Sequence, residues 1–162
     1  MFKINDYIIY NNGVCKIKDI KKKYMNDTDY FIVCPIEDES LTIKLPITTT
    51  NMRKLINVEE AEELISKIPS IETLNLNEKN IEIEYKKLLE NKRLEDLVKI
   101  IKTTYLRNKE RTDNKKKTGD IDNKYFSMAE KFLYNELALV YNKSFDDIKN
   151  DVIEKVTNKE AL

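Results

Sequence analysis

Histidine and tryptophan are absent from this 162-residue chain, and glycine occurs only twice, at Gly13 and Gly119. Without histidine there is no imidazole acid or base, and the commonest metal ligand is missing. Two isolated glycines cannot form a glycine-rich phosphate loop. The two cysteines, Cys15 and Cys34, lack C-x-x-C spacing, so neither a metal site nor a redox pair is indicated and both read as buried thiols. No apolar run approaches the ~20 residues that span a bilayer, and the first residues look like a strand rather than a signal peptide, so a cytoplasmic protein without membrane contact is expected. Carboxylates are plentiful but lie scattered on polar helix faces with no recognisable pairing. An enzyme therefore gains little support, and no cofactor, metal or small-molecule substrate is expected.

What the chain does have is charge and aliphatic bulk. Apolar residues make up 41% and charged residues 36%, enough for a core beneath a heavily charged surface and against wholesale disorder. Formal net charge is zero, but it is unevenly spread. Residues 57–84 carry eight acidic and two basic side chains, whereas residues 86–119 carry twelve basic and five acidic. A basic block inside a neutral chain suits local contact with a polyanion such as DNA. An ordinary solvated lysine surface is the alternative.

The organisation changes along the chain. Phe2 to Tyr10 and Val14 to Ile17 read as two strands around Asn12-Gly13, since β-branched and aromatic residues flank a glycine able to take positive φ. The second strand extends toward Met25, a polar turn follows at Asn26–Asp29, and Tyr30–Ile36 forms a third strand. Leu41-Thr42-Ile43-Lys44-Leu45-Pro46 alternates strictly and ends at a proline, which cannot donate a ladder bond. Four or five short strands at this spacing predict a small bent sheet or partial barrel.

Beyond Pro46 helical periodicity takes over. Asn57-Val58-Glu59-Glu60 offers a cap with acid in the first turn, ahead of an apolar stripe at Ala61, Leu64, Ile65 and Ile68. Residues 69–79 lack periodicity and read as a linker. Asn80 can cap a helix whose Ile81, Tyr85, Leu88 and Leu89 share a face. Leu94, Leu97, Val98, Ile101, Tyr105 and Leu106 predict a longer helix, with Lys99 and Lys102 outside the stripe. A lysine-rich loop follows over 112–120. Tyr125, Met128, Ala129, Phe132, Leu133, Leu137 and Val140 supply a central helix, and Ser144 to Asp147 cap a last one. The fold class is thus α+β: a β domain over 1–56, a connecting helix and linker over 57–79, and an all-α helical domain over 80–162.

The opening Phe2-Lys3-Ile4-Asn5-Asp6-Tyr7-Ile8-Ile9-Tyr10, the Gly13-Val14 turn, the Leu41–Pro46 strand and the late Asn135-Glu136-Leu137-Ala138-Leu139 resemble, in order and spacing, the CarD/CdnL family of bacterial transcription regulators. The resemblance spans most of the chain. It implies a Tudor-like β domain that binds the RNA polymerase β subunit, a helical domain that contacts promoter DNA, and no catalytic activity. The polymerase-binding edge would then comprise Lys23, Ile43, Lys44, Leu45 and Pro46. An exposed edge strand can pair with a partner's strand through the main chain while a flanking cation selects an acidic partner. An edge merely blunted by Lys and Pro is the alternative.

On the DNA side, Ile81 stands where well-known relatives carry a tryptophan that wedges into the minor groove, and an isoleucine is also an apolar wedge. Ile81 as a plain core residue is the other reading. Lys86 matches a family lysine, and Lys87, Lys92, Arg93 and Lys124 are candidate phosphate contacts, which supply salt-dependent affinity rather than sequence readout. The expected function is modulation of transcription initiation by stabilising the open promoter complex, on the nucleoid when bound to polymerase. The alternative is a polymerase-binding adaptor that lacks a DNA wedge and uses its helical domain for another partner.

Overall fold

The computed structural model describes residues 1–160, with side chains as far as Val156. The chain is α+β, with five strands followed by five α-helices. It divides into two compact units, Met1–Leu55 and a second from Ile56 onward.

In the first unit, β1 (Tyr7–Tyr10), β2 (Gly13–Met25), β3 (Thr28–Pro35), β4 (Ile43–Pro46) and β5 (Met52–Arg53) form one antiparallel sheet of order β4-β3-β2-β1-β5. Two-residue turns close the first two hairpins. Asn11 and Asn12 join β1 to β2 at φ 49° and 71°, and Asn26 and Asp27 join β2 to β3 at 51° and 58°. Positive φ at both central positions gives the twist that matches flanking strands, and Asn and Asp tolerate it better than most side chains. The turn therefore does not rest on glycine. Gly13 begins β2, and neither glycine has positive φ.

The long β2 strand is irregular. Register shifts fall between Ile17 and Asp19 and between Lys21 and Met25, with Lys23 itself left-handed at φ 47°. Such bulges bend a strand and raise its twist. Ile8, Cys15, Ile17, Phe31, Val33 and Leu45 make the apolar core of this unit. Both cysteines are buried and free. Burial, and secondarily the Cys34 thiol, push the Cys15 thiol up to about 11. The strand expected from Leu41 begins only at Ile43, because the Leu41 N–H is drawn into a turn with the Asp38 carbonyl.

The second unit contains α1 (Val58–Lys67), α2 (Ile81–Glu90), α3 (Leu94–Asp113), α4 (Asp120–Tyr141) and α5 (Phe145–Glu160). The Asn57 side chain accepts from the Glu60 N–H while the Glu60 carboxylate accepts from the Asn57 N–H, a complete capping box. Asn142 ends α4 in the left-handed region, and Ser144 Oγ accepts the Asp147 N–H at 3.1 Å to start α5. Ala61, Leu64, Ile65, Ile81, Tyr85, Leu97, Ile100, Ala129, Leu133 and Leu137 meet in one core.

Two sequence expectations change here. Residues 57–79 are not a separate connector, because α1 shares the helical core and Ile71 and Leu74 pack against it. Lys102 Nζ donates to the carbonyls of Ile68 (2.9 Å) and Ile71 (2.6 Å), and Thr103 Oγ1 accepts the Leu74 N–H at 3.0 Å. Lys102, expected on the solvent side, is thus a structural tie. The buried face of α3 is also rotated: Ile100, Thr103 and Thr104 are buried, while Tyr105 and Leu106 are exposed. Both threonine hydroxyls bond back to carbonyls of their own helix, at Lys99 and Ile100, which permits burial of their polar atoms. Among the described residues no helix is long and apolar enough to cross a membrane.

Candidate functional site

β4 is an edge strand, paired only with β3. The Ile47 N–H donates to the Asp29 carbonyl at 3.0 Å, so by antiparallel alternation Leu45 and Ile43 turn their main-chain groups to β3 and Lys44 turns its own outward. Pro46 lacks an N–H, and its carbonyl already accepts from the Thr49 N–H and hydroxyl. Lys44 is therefore the one residue of β4 that offers both a donor and an acceptor at the edge.

Its side chain is held in place. Lys44 Nζ donates to the Tyr24 hydroxyl at 2.8 Å and sits 5.0 Å from the centre of that ring. Tyr24 stands edge-on to Tyr30 at 5.4 Å, and Lys21 Nζ approaches the Tyr24 ring at 5.5 Å. The hydrogen bond from Lys44, then its charge, lower the pKa of the Tyr24 hydroxyl. Lys23 precedes Tyr24 and lies 3.8 Å from Asp27. Its N–H donates to Asp29 at 2.9 Å; this bond and the one from Lys22 hold the Asp29 carboxyl below its usual range.

The structure thus brings Lys44 and Lys21 to the Tyr24 ring, while the Lys23 ammonium turns to Asp27 in the hairpin turn. Leu45 belongs to the core at 4% exposure, so among the expected edge residues its side chain is not presented to a partner. Tyr24 and Tyr30 were not anticipated as part of this surface. Spacing gave no signal for this pair, because regular alternation puts residues 24 and 30 on opposite faces of the hairpin; the bulge between Lys21 and Met25, with Lys23 left-handed, turns Tyr24 onto Tyr30.

The residues expected to contact DNA are less gathered. Ile81 is 3% exposed within the helical core, which corrects its reading as a wedge: an apolar group buried in the same cluster as Tyr85 cannot enter a base step without opening that core. Its neighbour Ile83 is the exposed isoleucine of the first turn, at 54%. Lys86 is exposed on α2. Lys87 pairs with Glu84 at 3.4 Å, Arg93 with Glu95 at 3.3 Å, and Lys124 approaches Glu82 at 4.0 Å. Lys92 is half-buried and left-handed in the α2–α3 turn. These cations occupy three places, α2, the turn after it and the start of α4, and acids are interleaved among them.

A tighter charged cluster lies deeper in the same unit. Asp122, on the first turn of α4, is 1% exposed. Its carboxylate accepts from the Tyr85 hydroxyl (2.6 Å), Arg107 Nε (3.0 Å) and Arg111 Nη1 (2.5 Å). Burial alone would raise its pKa, but the bonds from Tyr85, Arg111 and Arg107 together outweigh that and hold the carboxyl below its ordinary range. Arg107 also donates to the Leu76 carbonyl at 2.6 Å. One carboxylate thereby ties α2, α3, α4 and the segment before α2. The sequence carries only four arginines, and two of them, spaced i and i+4, are these.

The chain matches no protein-family model, and no curated protein matches it at a significant level.

Proposed function

We propose that this chain is a transcription regulator of the CarD/CdnL type, which binds the RNA polymerase β subunit through the β4 edge and modulates initiation. The observation that carries the reading is the edge at Lys44, whose main chain faces outward and whose ammonium is braced on Tyr24. Such an edge can take a partner strand by main-chain bonding, with the braced cations favouring an acidic one. Bracing matters because a lysine loses side-chain entropy on binding, and part of that loss is already incurred. The ordered resemblance of the opening strands, the Leu41–Pro46 strand and the late helix supports the same assignment.

The helical unit would act on promoter DNA. It shifts the promoter equilibrium only if its contacts are stronger in the open complex than in the closed one. At promoters where escape limits output, the same stabilisation lowers expression. Burial of Ile81 leaves phosphates as the DNA groups that this unit can meet without a wedge at position 81, and it equally suits the adaptor, which lacks a wedge and uses its helical domain for another partner.

The lifetime of an open promoter complex with and without the protein tests the regulatory claim. A longer lifetime is expected. An unchanged lifetime in the presence of saturating, polymerase-bound protein supports the adaptor, with the helical unit serving another partner.

A further inference from the structure

The two arginines that hold Asp122 also face outward. Leu76, Arg107, Glu110, Arg111, Asn114 and Lys116 line a polar pocket of about 130 Å³ at the C-terminal end of α3. Arg107 spends Nε on Asp122 and Nη1 on the carbonyls of Leu76 and Glu78; Arg111 spends Nη1 on Asp122 and on Asn108. Arg107 Nη2 and Arg111 Nε and Nη2 make no hydrogen bond among the described residues. None of these nitrogens is buried without a partner, so they are open to solvent. Rigid guanidinium donors pointing into a polar recess match the oxygens of a phosphate group.

Charge and geometry agree. Asp122 cancels one of the two guanidinium charges and Glu110 opposes Lys116, which leaves the pocket net positive. Lys115 and Lys117 flank it, both exposed and without an ion pair among the described residues. The α3–α4 turn is itself ordered: Lys115 is left-handed at φ 57°, and the Lys116 N–H donates to the Arg111 carbonyl at 2.7 Å. Gly119 is what lets the guanidinium lie there. A Cβ at that position would fall 2.6 Å from Arg111 Nη1 and 2.7 Å from Cζ.

We infer that this pocket binds a phosphate group, with the surrounding lysines favouring the backbone of a nucleic acid as its source. This goes beyond the polymerase reading, because it assigns a phosphate contact to the α3–α4 turn rather than to α2. It also fails independently of it: lost polymerase binding with retained duplex binding breaks the first and leaves the second.

The test uses the full chain in two titrations: a short random-sequence DNA duplex followed by anisotropy at several salt concentrations, and inorganic phosphate followed by the backbone amide signals of Lys116 and Gly119. Lys116→Gln, on an exposed side chain, should weaken duplex binding and reduce the salt slope by about 1. Gly119→Ala should weaken it further by displacing Arg111. Phosphate-induced shifts without duplex binding would support the pocket and assign its ligand to small phosphorylated molecules. Unchanged duplex affinity and salt slope in folded Lys116→Gln, together with silent amides, would overturn the inference.

Discussion

The two units treat charge in opposite ways. All the buried polar and charged side chains among the described residues, Asp96, Thr103, Thr104, Asp122 and Glu136, lie in the helical unit, while the core of the β unit is apolar throughout. The β sheet bonds its main chain internally through cross-strand pairs, so its charges stay outside and remain available at an edge. The helical unit must also fix an irregular segment, 69–79, whose carbonyls have no ladder to join. It does so with Lys102, Thr103 and Arg107 from α3, and the second arginine and Asp122 complete the network. One unit presents its cations directly; the other uses them first to fold.

The largest effect that separates the units should come from Asp122→Asn. Removing a buried countercharge from two arginines should destabilise the helical unit by about 3–5 kcal/mol, read from urea midpoints. The folded pKa of Asp122 lies below its unfolded value of about 3.9, so its contribution is fully present above that pH and is lost as pH falls through the folded value. The gap between wild type and Asp122→Asn should therefore narrow in acid; a gap independent of pH would place the role of Asp122 in packing rather than charge.

Ile81→Ala comes next. A core isoleucine should lose about 2–5 kcal/mol on truncation. A wild-type melting curve for this variant, with altered DNA binding, would instead restore the wedge. Disrupting the capping box with Asn57→Ala should have a smaller effect, about 1 kcal/mol, confined to the helical unit. Retention of the α1 amide protection seen in wild type would show that packing alone fixes this helix. Lys44→Glu should change stability least, since the hydrogen bond it removes, to the Tyr24 hydroxyl, is solvent-exposed, and its melting curve should overlay that of wild type.

Much of this arrangement was legible in the sequence, for identifiable reasons. Period-two alternation marked the strands, and the stripe from Ala61 to Ile68 and the Asn57 cap marked α1, because each signal is local. The positive-φ positions were misassigned to Gly13, since two asparagines can serve a two-residue turn as well. Lys102 and the Asp122 network were not legible, because their partners lie on other segments, 11 to 37 residues away, and no periodicity encodes such a pairing. Ile81 was ambiguous for a different reason: an apolar residue at the first helical turn fits a core and a wedge equally, and only its packing distinguishes them. The Tyr24–Lys44 contact likewise joins residues 20 apart, on β2 and β4, which lie on either side of β3.

The central claim is that the β4 edge recognises polymerase, and direct binding to the isolated lobe of the RNA polymerase β subunit tests it. Wild-type protein should bind, and folded Lys44→Glu should bind at least tenfold more weakly, a loss of about 1.4 kcal/mol. Equal binding by the two proteins would contradict the edge assignment. No binding by wild type to a correctly folded lobe from the same organism would contradict the polymerase reading altogether.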